Sequence, residues 1–386
     1  MNKPQRKNVL VCLAYAYGEA HEKYRGLIHY LTSENERWNI MTPYGRGVPS
    51  AADLAAAKRN NLDGIIIDLN IVHLQPRHLT GVFKAGVPVV CVESDATLRG
   101  FSTPIAHVRS CDEEIGVMAA DHLASIGSFS SFAFIGCQEG EWSTRRCNAF
   151  IRRLAKLGKP TPQILADGFG PMTQFLRQLK KPCAIFAVAD YVATGVIDEA
   201  RRLGLEVPGD LAIIGVDNEQ LICMNTDPTL TSIRPNFFRE GFVAAGLLSR
   251  MMRGLQVRTV PECRGAKLFV RGTTGPSGPG GRLVQQIQDR LSAQFAGRIN
   301  VDEIACALNV SRRLLDKRYR QFTGESVMKT VERLRVEKMK ELLMSTNASI
   351  AEIAATCGFP STNFMRRIFL RHYHTTPLAF RKRHSG

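Results

Sequence analysis

The sequence predicts an α/β N-terminal part, made of two parallel-sheet lobes, followed by an all-α C-terminal domain holding two helix-turn-helix units. Three observations carry this expectation. Up to about residue 275, short apolar runs rich in β-branched residues alternate with stretches of helical period. Residues 272–281 read Gly-Thr-Thr-Gly-Pro-Ser-Gly-Pro-Gly-Gly, with no charge and no apolar pattern, as a flexible connector does. Between 299 and 381 the pattern of helix, tight turn and second helix occurs twice, joined by one long amphipathic stretch. The expected boundaries are 1–271, 272–281 and 282–386.

Taken in order, strands are expected at 9–13, 64–67, 87–92, 131–135, 184–188, 211–216 and 266–270. Helices are expected between them, at 20–32, 49–59, 112–126, 144–157, 171–179, 191–203 and 239–253. Runs that are apolar on both faces suit parallel strands covered by helices on both sides. Open parallel sheets bind ligands beyond the carboxyl ends of their strands. Those ends are polar here. Tyr15 follows the first strand, Asp68 the second, Glu93 the third, Trp142 and Arg146 the fourth, Asp190 the fifth and Asp217 the sixth. Carboxylates accept from hydroxyls, a guanidinium donates to them, and an aromatic face covers an apolar ring. Together these residues are candidate contacts for a polyhydroxylated small molecule. An Asp just after a strand also caps the helix that follows, so Asp190 and Asp217 keep both readings.

In the C-terminal part, Ser311 and Ser361 stand where an N-cap is needed, and Gly358 stands at a turn. Leu314, Leu315 and Tyr319 are the expected packing residues of the first unit, and Phe364, Ile368 and Phe369 those of the second. Val327, Val331, Leu334, Met339, Leu342 and Leu343 mark the joining helix at about 326–344. The starts of the second helices are left for the major groove. The candidate DNA contacts are Ser311, Arg312, Arg313, Asp316 and Lys317, with Ser361, Thr362, Asn363, Arg366 and Arg367. Charge agrees: residues 281–386 hold 19 Lys and Arg against nine Asp and Glu, +10 of the chain's net +16. A domain so basic gains affinity for phosphate by releasing counterions.

Several classes are disfavoured. The ten cysteines form no CxxC pair and have no His-rich partner spacing, so a reduced cytoplasmic protein without zinc is expected. The apolar run at 9–16 is short and leads into polar sequence without a small-residue cleavage site, as expected of a strand and not of a signal peptide, and no stretch approaches a membrane span. No P-loop, GxSxG or HExxH is present, and Tyr15-Ala16-Tyr17-Gly18 stands where a GxGxxG would follow the first strand. No enzyme activity, cofactor or metal is therefore expected. Two other readings remain: an N-terminal domain that only dimerises, or a sugar-acting enzyme with a DNA-binding appendage. Titration with pentoses tests the first, and product analysis after incubation with sugars tests the second.

Two resemblances add to this. Ile304-Ala305, Val310-Ser311, Leu342-Leu343, Ile353-Ala354, Gly358-Phe359 and Thr376-Pro377 follow the pattern of AraC/XylS-type DNA-binding domains, which the segment resembles over about 85 residues. Arg146 with Ala149-Phe150, Pro182 through Asp190, Val207-Pro208-Gly209-Asp210, Gly215-Val216-Asp217-Asn218 and Arg271-Gly272-Thr273-Thr274 resemble the core of LacI/GalR-type regulators and periplasmic sugar-binding proteins. That likeness implies sugar contacts at Arg146, Asp190 and Asp217. A LacI-like core followed by an AraC-type domain resembles the xylose-operon group of regulators. The resemblance implies operator DNA as partner, D-xylose or another pentose as effector, a homodimer through the core, and RNA polymerase as a further candidate partner.

Overall fold

The computed structural model describes residues 6–13, 18–43, 49–69, 76–93, 103–137, 140–257, 262–275, 279–297, 299–323, 325–346, 348–373 and 375–384. The chain forms two compact units, Met1–Thr274 and Gly275–Gly386.

The first lobe of the first unit contains β1 (Lys7–Cys12), α1 (Gly18–Ser33), β2 (Trp38–Met41), α2 (Ala51–Arg59), β3 (Leu62–Asp68), α3 (Pro76–Phe83), β4 (Val89–Val92) and β5 (Ile105–Val108). Its sheet runs β2-β1-β3-β4-β5, parallel throughout. The second lobe contains α4 (Asp112–Ser125), β6 (Ser131–Ile135), α5 (Glu141–Lys156), β7 (Gln163–Leu165), α6 (Met172–Gln178), β8 (Cys183–Ala187), α7 (Asp190–Arg202), β9 (Leu211–Val216), α8 (Gln220–Cys223) and β10 (Thr231–Arg234). From β10 the chain returns to the first lobe as α9 (Phe237–Met252), which packs on α1 and on β3, β4 and β5. It then crosses back to add β11 (Lys267–Phe269), giving the order β11-β10-β9-β8-β6-β7. The backbone thus passes between the lobes three times. The edge strand β11 is antiparallel, where the sequence reading expected parallel strands throughout.

The seven expected strands are all present, and β2, β5, β7 and β10 join them. These four are only three or four residues long and carry polar or exposed side chains, so no apolar run announces them. In β10 the polar side chains are buried by pairing instead. Thr231 Oγ1 donates to the Arg271 carbonyl at 3.1 Å, and Ser232 is buried beside it. The central strands owe their legibility to burial on both faces: Ile65, Ile66 and Ile67 of β3 and all of β8 are shut away from solvent. Helices α1 and α9 touch backbone to backbone. A Cβ on Gly26 would stand 1.9 Å from the Phe238 carbonyl oxygen, and one on Gly241 would stand 1.7 Å from that of Lys23. Only glycine permits that approach.

The expected connector is shorter than its composition suggested. Thr273 and Thr274 are buried. Thr273 Oγ1 donates to the Ile213 carbonyl at 2.6 Å, its own carbonyl accepts from Ile213 N at 2.9 Å, and Thr274 Oγ1 lies 2.8 Å from Thr231 Oγ1 and 2.7 Å from His122 Nε2. Residues 272–274 therefore finish the first unit. The next helix, α10 (Pro279–Gln294), already begins inside the stretch read as connector.

The second unit continues with α11 (Val301–Ala307), α12 (Arg312–Thr323), α13 (Val327–Ser345), α14 (Ile350–Thr356), α15 (Thr362–Tyr373) and α16 (Pro377–His384). It has two cores, and α13 serves both. Val327 and Val331 pack with Ile304, Leu315 and Tyr319; Val336, Met339 and Leu343 pack with Ile353, Met365, Ile368 and Phe369. Two packing expectations are corrected. Leu314 is 40% exposed, and Phe364 is 37% exposed while Met365 is fully buried in its place. Both errors are one step round a helix, and an apolar residue beside the buried stripe does not reveal on which side the stripe ends.

Candidate ligand cleft and nucleic-acid interface

The carboxyl ends of β3, β4, β6, β8 and β9 bring charged residues from both lobes together. Asp68 ends β3, Glu93 follows β4, Arg146 lies one turn into α5, Asp190 opens α7 and Asp217 follows β9. Tyr15 lies outside the described residues. The backbone is strained at this place: Glu93, Asp217 and Asn218 have φ of 51°, 106° and 51°, a region that side-chain-bearing residues seldom adopt. Such strain persists where the surroundings enforce it, and it clusters at functional sites.

The expected contacts divide by what else they hold. Asp68 is buried, with Oδ2 2.7 Å from Lys23 Nζ, so it anchors that lysine rather than lining an open surface. Asp190 is also buried and engaged at both oxygens. Oδ1 accepts from Ser232 Oγ at 2.6 Å, and Oδ2 accepts from Glu219 N at 2.9 Å and Cys223 Sγ at 3.2 Å. Asp190 follows the N-cap residue Ala189 and does not cap α7; its carboxylate is held by β10 and by the segment at α8. Arg146 donates from Nε to Asp112 Oδ1 and from an Nη to the Val188 carbonyl, at 2.9 and 2.8 Å. Its guanidinium carbon stands 4.8 Å from the centre of the Trp142 ring, which lies against it. Glu93 accepts from Ser110 N and Oγ at 3.1 and 2.9 Å and stays half-buried. Asp217 is half-buried too. Glu93 and Asp217 are the two expected carboxylates best placed to receive hydroxyls.

Sequence reasoning missed Lys23, Glu19 and an aromatic pair. Lys23 is wholly buried, 3.7 Å from a carboxylate oxygen of each of Glu19 and Glu240 as well as bonded to Asp68. Burial alone would lower its pKa, but Asp68, Glu19 and Glu240 outweigh that and hold it well above the usual lysine value. Nothing in a helical pattern separates a buried lysine from an exposed one. Phe169 and Tyr191 stack with ring centres 6.1 Å apart and planes 14° from parallel, and they are 77% and 40% exposed. Tyr191 directly follows Asp190 and lies in the field of Asp217 and Arg146, which suits a platform for an apolar ring face. A tyrosine next to a strand-end aspartate was the available signal.

Burial raises Asp217 to about 7, against the pull of Arg146, and raises Glu19 to about 8, against the pull of Lys23. The folded chain therefore keeps protons that the unfolded chain releases above about pH 4. The stability these groups contribute is complete below the unfolded carboxylate range and is lost as pH rises through 7 to 8. The ligand-free chain is expected to melt at a lower temperature at about pH 9 than at about pH 6, with Asp217→Asn flattening part of that fall. Thermal melts across this range that were flat or rising would overturn the assignment.

In the second unit Ser311 and Ser361 cap their helices as expected, each Oγ accepting at 3.2 Å from the amide three residues on. Gly358 has φ of 72°, and a Cβ there would stand 2.2 Å from the Ala296 carbonyl oxygen. Arg313, Lys317, Asn363, Arg366 and Arg367 are exposed, and Thr362 and Asp316 are half-buried. Arg312 is bound to its own protein, 2.8 Å from Asp316 and 3.1 Å from Asp302. Arg367 lies over the Phe364 ring, 5.1 Å from its centre, which accounts for the exposed phenylalanine. Arg313, Lys317 and Arg366 make no ion pair among the described residues and are the readiest donors on these helix starts.

Residues 120–274 match the periplasmic binding protein-like domain, and residues 304–383 match a helix-turn-helix domain. The Xylose operon regulatory protein of Escherichia coli K12 is 28% identical over 335 residues, covering 83% of each chain. The counterpart in Haemophilus influenzae is 26% identical over 334 residues, covering 83% of this chain and 85% of that one. A solved structure described as the xylose-binding transcription activator xylR superposes with a TM-score of 0.58 at 23% identity, over 99% of this chain and 100% of that one. A LacI family regulator from Enterococcus faecium with bound ribose superposes with a TM-score of 0.53 at 22% identity, over 70% of this chain and all of that one. The fold is that of these regulators, a periplasmic-binding-protein-like unit followed by a helix-turn-helix unit.

Proposed function

We propose that this chain, a DNA-binding transcription regulator with a periplasmic-binding-protein-like core, is switched by a small sugar held between the two lobes, with D-xylose the first candidate. The observation that carries the reading is one chain holding both halves of such a switch. Half-buried carboxylates converge at the strand ends of one unit, and exposed basic residues open the second helices of the other. Glu93 and Asp217 accept from sugar hydroxyls, Arg146 orients the carboxylates around it, and the Phe169–Tyr191 stack covers a ring face. Arg313, Lys317, Asn363, Arg366 and Arg367 meet the duplex. The relatives named for the xylose operon supply the choice of pentose and the expectation that the target is an operator. A homodimer through the core, contact with RNA polymerase and a cytoplasmic location complete the reading. No helix among the described residues is long and apolar enough to cross a membrane.

The test is enrichment of duplexes from a random-sequence pool by the purified chain, with and without D-xylose, beside thermal melts with a panel of pentoses. A ligand that binds only the folded form raises the melting temperature. Absence of any enriched sequence overturns operator recognition. Absence of any shift across the panel, with sequences enriched equally under all conditions, overturns sugar sensing.

Within the enriched sequence, Asn363→Ala is expected to cost about 1–3 kcal/mol and relax preference at one base pair, because an amide side chain reads a base edge. A uniform loss on all sequences reassigns Asn363 to the phosphate backbone.

A further inference from the structure

We propose that Glu219 is a latch that holds the two lobes shut over the cleft, closing on the amino end of α1; this rests on the reading that the cleft holds a ligand. Gly18 opens α1 in the first lobe, and its N–H donates to Glu219 Oε2 in the second lobe at 2.9 Å, across 201 residues of chain. The first amides of a helix lack carbonyl partners within the helix and carry its positive end, so a carboxylate there is both a hydrogen-bond acceptor and a favourable charge.

The mount of this latch is rigid. The backbone N–H of Glu219 is fixed by Asp190 Oδ2, and Asp190 is braced in turn by Ser232. The two preceding residues are Asp217 and Asn218, both in left-handed backbone conformation. Asn218 is tied by its own N–H to Ser232 Oγ at 2.9 Å and by Oδ1 to Arg271 at 2.6 Å. The three-residue segment 217–219 therefore carries a candidate ligand contact at one end and the latch at the other. Whatever orders Asp217 also orders Glu219. The same geometry explains Gly18, whose φ is not in the left-handed region. A Cβ there would stand 2.5 Å from Glu219 Oε2, so any side chain makes the carboxylate shift from its place on the amide. The buried Asp190 thus acts as a positioning residue, setting the latch from behind.

Hydrogen exchange of the full chain tests this, read at the amino end of α1, without ligand and with D-xylose as the probe. Glu219→Ala should speed exchange there by about tenfold to a hundredfold, the range for a hydrogen bond to a charged acceptor, while α7 and α9 keep their protection. Gly18→Ala should do the same, although alanine is the better helix former. Because both changes break one contact, the double variant should exchange no faster than either single one. Wild-type exchange in Glu219→Ala, or independent and additive effects of the two changes, overturns the latch. Slowed exchange in wild type with D-xylose, and weaker binding of D-xylose by Glu219→Ala, ties the latch to the ligand. If D-xylose leaves wild type unchanged while the Glu219 and Gly18 effects appear and do not add, the choice of sugar fails and the latch stands.

Discussion

Replacing Lys23 by methionine is expected to destabilise the Met1–Thr274 unit by about 3–5 kcal/mol, the usual result of removing one partner from a buried ion pair. For a unit of this size that is a fall of roughly 10 °C in melting temperature. The side chain has no exposure and stands among Asp68, Glu19 and Glu240, with the Phe237 ring 5.1 Å away. Methionine fills similar space, so packing changes little and the loss reports charge. Without the ammonium, Asp68 has lost its 2.7 Å partner, and Glu240 keeps one buried oxygen with no hydrogen-bond donor. Asp68, buried with its Lys23 partner removed, can then be tolerated only by taking up a proton, since Glu19 already keeps its own up to about pH 8. The Lys23 ammonium itself titrates far above neutrality, so its contribution is constant across the neutral range in the wild-type chain. The variant should therefore recover stability as pH falls toward about 5, where protonation replaces the missing cation. A Lys23→Met chain that melts like wild type at neutral pH would show that the cluster is protonated already and that the lysine is dispensable.

That lysine also marks where the sequence stops being legible. Strands buried on both faces, such as Ile65–Ile67 in β3 and the whole of β8, are read directly because burial demands an unbroken apolar run. The paired helix-turn-helix units are read because caps, turn glycine and packing stripe recur at fixed spacing, with Ser311, Ser361 and Gly358 in their expected roles. What fails are features set by distant partners. Lys23 lies on α1, and only the return of α9, some 215 residues later, closes a lid of helix over it. Thr273 and Thr274 look like linker, yet each is satisfied by partners more than 40 residues away. Asp190 is correctly placed after its strand, but its two oxygens are claimed by β10 and the loop leading to α8, segments whose positions no local pattern reveals. Position at a strand end is local information; whether a carboxylate there has oxygens left for a ligand is not.

The second large effect belongs to the basic unit. The segment 275–386, prepared alone, is expected to bind duplex DNA with affinity falling by about 10³–10⁵ between 50 and 200 mM salt, if it makes roughly six to ten phosphate contacts. Separation of the segment is reasonable because it is a compact unit with its own two cores. Those cores are closed by internal contacts: Tyr319 donates to Thr330 Oγ1 at 2.9 Å, and Arg335 donates to the Phe295 and Gly297 carbonyls at 2.7 Å each. The charge available is not the whole formal excess. Arg312 is paired with Asp302 and Asp316, Arg333 lies 3.4 Å from Glu325 and from Glu337, and Arg335 and Arg381 donate to backbone carbonyls. Arg313, Lys317, Arg320, Arg366 and Arg367 are exposed without ion pairs among the described residues. Each phosphate neutralised by one of them releases counterions, which is why salt acts so steeply. Arg366→Ala is therefore expected to reduce the slope of log affinity against log salt by about one if the residue meets phosphate, and to leave the slope nearly unchanged while relaxing one base preference if it meets a base edge. Fluorescence anisotropy on a fixed duplex at four salt concentrations measures both. A flat salt response in the wild-type segment would mean that the exposed cations of α12 and α15 do not face DNA, and that the positive charge of this unit serves some other purpose.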